Sequence, residues 1–141
     1  MTNKKLPLAV TSVWCLLQSL GGPALASDLA SPDLVKTGLQ RFTHDYGDMT
    51  RKLNAGTYDR LAREHEDFQK DAASLRVAIA GEPTEFKNMI EAQLTKTLDA
   101  SGRVADISRT RDEAQVRKAL DALAEAIREL NAAFPEKLRS S

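Results

Sequence analysis

His65 stands on a stripe that otherwise reads Tyr58, Leu61, Phe68, Ala72, Leu75 and Ile79, spaced three and four apart, so a half-buried imidazole is expected there. Burial obliges its ring nitrogens to find a hydrogen-bond partner or a metal. Met49 sits on a second stripe, and counting outward from the turn at Gly56 puts it within about one helical turn of the level of His65. A Met and a His facing each other across helices could ligate haem iron. The simpler reading has Met49 filling core space while His65 bonds Tyr46, Tyr58 or a backbone carbonyl. No other residues are candidates for holding a cofactor.

His44, Asp45 and Asp48 form a second group, with His44 and Asp48 four apart on one helix face. They could hold a divalent cation at the surface, but two or three weak ligands rarely make a specific site, so a solvated face is expected and no metal site. The carboxylates of Glu64-His65-Glu66-Asp67 are expected to be solvated too, because the second His of a zinc-protease helix is missing. Arg103, Arg109 and Arg111 could receive an anion, yet Asp106, Asp112 and Glu113 offset them, which reads as a solvated loop.

Several chemistries are excluded by the start of the chain. Lys4 and Lys5 precede an apolar run, Leu6 to Leu20, which Gly21-Gly22-Pro23 breaks, and Ala24-Leu25-Ala26 supplies the small residues that signal peptidase needs. A cleaved signal over 1–26, a mature start at Ser27 and a periplasmic location are expected, since the run is short for an anchor of about 20 residues. Trp14 before Cys15 argues against lipidation. Cleavage removes the only Cys, and with it any disulfide, iron–sulfur or thioether chemistry. It also removes Lys4 and Lys5 from 20 basic side chains and none of the 20 acidic ones, leaving a slightly negative chain with no feature that favours nucleic acid. Without a thiol, a nucleophile elbow, a phosphate loop or repeated Glu-x-x-His pairs, no enzymatic activity is expected.

The elements that must position these residues are four helices. Val35, Leu39, Phe42, Tyr46, Met49 and Leu53 mark the first, after Ser31-Pro32-Asp33; Asn54-Ala55-Gly56 closes it, and Thr57 is placed to cap the second. Gly81-Glu82-Pro83 ends the second. Phe86, Met89, Ile90, Leu94, Leu98, Val104 and Ile107 mark the third, weakened at Gly102 and followed by the polar Ser108 to Asp112 connection. Val116, Leu120, Leu123, Ile127, Leu130 and Phe134 mark the fourth. Short breaks between stripes of similar length predict an all-α, antiparallel up-down four-helix bundle over residues 27–141, one domain. The three internal breaks argue against an extended coiled-coil dimer.

An exported chain of this organisation resembles the periplasmic cytochrome c-prime and cytochrome b562 superfamily. Glu82-Pro83 through Phe86-Lys87-Asn88 is similar to the opening of the b-type third helix, Glu113-Ala114-Gln115 to that of the last helix, and Asn131-Ala132 through Lys137-Leu138-Arg139 to its close. The likeness runs loosely over residues 33–139. In the c-type branch Cys-x-x-Cys-His precedes a closing aromatic-Arg pair; matching that pair to Leu138-Arg139 puts Asn131 and Phe134 at the cysteines and Pro135 at the histidine. The b-type axial His falls at the same point. Pro135 cannot bind iron, and it terminates or kinks the helix.

The resemblance therefore implies a haem-free relative that acts by binding an unidentified periplasmic protein or as a structural accessory. The alternative is an electron carrier with non-covalent haem b held by Met49 and His65. A third reading is an interaction module or homodimer, because Met89 and Ile90 are adjacent and cannot both face one narrow seam.

Overall fold

The structure is a computed structural model that describes residues 29–140; the expected signal segment and its cleavage point lie outside them. Among the described residues the chain forms helices α1 (Pro32–Asn54), α2 (Tyr58–Ala78), α3 (Thr84–Ser108) and α4 (Glu113–Ala132), then a 3-10 turn, Glu136–Leu138. Consecutive helices pack on each other, α1 also meets α4, and the 3-10 turn closes against α1. The result is an all-α, up-down four-helix bundle. No helix among the described residues is long and apolar enough to cross a membrane.

Each helix ends where a local cause requires it. Gly56 takes φ 71°, the left-handed conformation that a side chain disfavours, and turns the chain from α1 into α2. Thr57 holds the N-cap position of α2, but its hydroxyl donates back to Lys52 O at 3.1 Å, stitching the turn to α1 rather than capping α2. The connection after Ser108 turns at Arg111, φ 58°. Asp112 then caps α4 by accepting from the Gln115 backbone N–H at 3.2 Å. At the far end α4 stops at Ala132, short of Pro135, whose ring cannot continue a helix.

The stripes meet in one core. Val35, Leu39, Phe42, Met49, Leu61, Phe68, Leu75, Ile90, Leu94, Leu123 and Leu130 are wholly buried. Phe42 and Phe68 lie with ring centroids 5.8 Å apart, joining α1 to α2, and Phe86 meets Phe134 edge-on at 5.7 Å, joining α3 to the end of α4. Met89 and Ile90 divide as their adjacency requires: Ile90 is buried and Met89 is 43% exposed.

α3 departs from its expected stripe. Thr97, Ser101 and Ser108 are fully buried, whereas Leu98 only packs at the edge of the core. Each hydroxyl satisfies itself within the helix: Thr97 donates to Gln93 O, Ser101 to Leu98 O and Ser108 to Ala105 O. Small polar residues that bond their own backbone, as Thr97 and Ser108 do, can be buried without a partner on another helix, so hydropathy alone misplaces the stripe by one position.

Candidate functional site

The seam between α1 and α2 carries the charged chemistry of the molecule. Asp45 lies three residues beyond Phe42 and four before Met49; Glu64 and Asp71 stand in the same relation to Phe68. Their spacing puts all three carboxylates on the faces that close around the aromatic pair. Asp45, Glu64 and Asp71 are accordingly buried, at 8%, 6% and 8% exposure. This corrects two sequence expectations. Glu64 is not solvated, and Asp45 is not part of a solvated face, because the helical period carries both into the joint.

The groups around these carboxylates decide their state. Lys52 donates to Glu64 Oε1, and the pair is mostly buried. Asp48 receives Arg51 and, from His44 Nε2, a contact at 3.3 Å. Asp71 has Arg41 Nη1 at 3.9 Å. Asp45 has no such counter-ion, and no donor reaches its buried Oδ2. Burial, then the adjoining Asp71 carboxyl as hydrogen-bond partner and as negative charge, then the charge of Asp67, push Asp45 up to about 8 against the pull of Arg41. A carboxylate oxygen each of Asp45, Asp48 and Glu64 lie within 4.8 Å of one another. His44 is not of that group; it stays on the exposed side of Asp48.

His65 turns away from this seam towards α3. Its Nδ1 lies 2.6 Å from Ser101 Oγ. Ser101 Oγ also lies 3.0 Å from Leu98 O, and with Nδ1 held by Ser101 the other ring nitrogen, Nε2, is left open. The ring rests on Gly102, where an added Cβ would stand 3.4 Å from Cε1. Gly102 is thus a landing place for an imidazole within a continuous helix. None of the partners expected for His65 is the one found.

His65 also lines an open groove of about 470 Å³ with Gln69, Asp99, Arg103 and Asp106. Met49 is absent from that lining and is fully buried in the core. The two candidate ligands therefore occupy different settings, one in the apolar interior and one beside a polar surface groove. Arg109 and Arg111 are exposed and face Asp106 at 3.6 Å and Asp59 at 3.7 Å.

The end of α4 is tied down by its own residues. Arg139 donates to Phe134 O at 2.9 Å and Ala132 O at 3.1 Å, meeting carbonyls the helix end leaves open. Asn131 donates to Ile127 O at 3.1 Å and accepts from Ser140 N at 2.9 Å. Phe134 and Leu138 are buried on either side of Pro135. No nitrogen or sulfur donor is supplied by Asn131 Oδ1, Phe134 or Pro135 at the place where the resemblance puts haem attachment, so these residues do not fit the group.

Fold and site together define an all-α four-helix bundle with a buried acidic seam and a locked carboxyl end. Compared with known proteins, the chain matches no family model, no curated protein and no solved structure.

Proposed function

We propose that this chain is a haem-free, exported four-helix bundle related to the cytochrome c-prime and b562 superfamily, acting in the periplasm as a binding or structural accessory protein. The observation that carries the reading is Phe134. It is 2% exposed and meets Phe86 edge-on, filling interior volume beside the point where the resemblance expects a haem ligand. Close packing leaves little reason for such a ring to vacate its place. Hemin titrated into the purified protein should give no saturable Soret shift, and a tight one-to-one shift would overturn the proposal.

The electron-carrier reading keeps one supporting feature. Ser101 holds His65 Nδ1 and leaves Nε2 open, as a partner in the outer shell of a metal ligand does. It would, however, require Met49 to leave the core, because His65 opens onto a groove that Met49 does not line. Should hemin bind, replacement of His65 by Ala decides this reading: an unchanged reduced spectrum removes the ligand it depends on.

A further inference from the structure

The joint between α1 and α2 contains a feature that the packing of the bundle does not require. Three carboxylates converge, and one of them lacks any cation. Asp48 is met by Arg51 and His44, Glu64 by Lys52, and the nearby Asp71 by Arg41. Asp45, more than nine-tenths buried, has carboxyls beside it and no cation in contact, and its Oδ2 has no donor. Buried polar oxygens are almost always satisfied, and a buried carboxyl needs a counter-charge or a proton. A cation at that position would meet the need.

The geometry supplies a coordination shell. Oxygens bound to a common cation at roughly 2.0–2.6 Å are at most about 5 Å apart, and the three carboxylates meet that limit, with ligand oxygens within 4.8 Å of one another. Asp45 and Asp48 project from one face of α1 and Glu64 from α2, so a shared ion would clasp the first helical hairpin. Asp48, whose side chain is 25% exposed, leaves a path for entry and room for water ligands. An all-oxygen donor set suits calcium, manganese or magnesium rather than softer metals. Irregular placement on two helices favours calcium, which tolerates variable geometry, over magnesium, which demands a near-octahedral shell.

We propose that Asp45, Asp48 and Glu64 form a binding site for a hard divalent cation, calcium foremost, that bridges α1 and α2. Lys52 is then an internal competitor: its ammonium occupies Glu64, and the incoming ion displaces it. The site stands independently of the haem-free reading.

The test is calorimetric titration of Ca²⁺, and separately of Mn²⁺ and Mg²⁺, into the full folded chain after chelator treatment and desalting. Calcium should bind at one equivalent and raise the melting temperature. Asp45→Asn and Glu64→Gln, each shown helical by circular dichroism, should weaken binding at least about tenfold, while Lys52→Met should tighten it. The pattern matters, because Asp45→Asn should at the same time melt higher than wild type in chelator. No saturable heat with any of the three ions would overturn the site. So would binding that Asp45→Asn leaves unchanged, which would mean diffuse adsorption to surface carboxylates.

Discussion

His65 Nδ1 and Ser101 Oγ are hydrogen-bonded across 2.6 Å, and the same ring lies on Gly102, so two adjacent residues of α3 receive one side chain of α2. The arrangement couples a hydrogen bond to a close approach of helices. Ser101→Ala would leave the half-buried Nδ1 without its hydrogen-bond partner, at a cost of about 1 kcal/mol. Gly102→Ala should be close to neutral, since the gain in helix propensity, also about 1 kcal/mol, is set against a contact at the edge of ordinary packing. Urea unfolding of the two variants measures both.

Phe134 anchors the carboxyl end. Phe134→Ala should cost about 3–5 kcal/mol, as expected for removing a buried aromatic side chain, and lower the melting temperature accordingly. A loss of less than 1 kcal/mol would mean that the end of α4 contributes little to the core.

The buried acid gives a pH dependence of definite sign. Asp45 is raised from its ordinary value to about 8, chiefly by burial and by the facing Asp71. The folded state therefore binds a proton that the unfolded chain releases near pH 4. With chelator present, this contribution to stability is complete below pH 4, declines from there, and is lost as pH rises through about 8. Asp67 and Asp71 on α2 reinforce it; Arg41 opposes it, and Asp48, Glu64 and Lys52 form the remaining charged surroundings. Asp45→Asn should flatten the decline in melting temperature across that range.

Arg76 and Glu91 provide a contrast at the surface. Their bidentate pair, at 2.9 and 2.7 Å, lowers Glu91, mainly through the hydrogen bond to Arg76, and adds stability that is present above the ordinary glutamate range and fades as pH falls through its lowered value. Both side chains are about half exposed, so Glu91→Gln should change stability by no more than about 1 kcal/mol. Chemical denaturation at pH 7 in low salt checks it.

Much of the architecture was legible because the apolar residues of α1, α2 and α4 repeat at three and four and stop at residues with a mechanical reason to stop them. Gly56, Pro83, the Ser108 to Asp112 connection and Pro135 all interrupt helices where expected. The chemistry was harder to read. Asp45, Glu64 and Asp71 fall on the same three-and-four spacing as Phe42, Met49, Phe68 and Leu75, so the signal was present, but acidic residues are ordinarily assigned to solvent. Only the pairing of α1 with α2 shows that Lys52 and Arg41 accompany them and that Asp45 is left over. Ser101 and Gly102 were similarly hidden: a serine and a glycine in a helix read as weak points until the imidazole that needs them is in place.

On the proposed haem-free reading, packed side chains, and not a porphyrin, complete the interior. The absorption spectrum of the native protein as isolated from its own cells tests it most directly. A colourless protein with no Soret band is the predicted result. A red protein whose Soret band follows the folded protein through purification, and shifts when His65 is replaced by Ala, would contradict it.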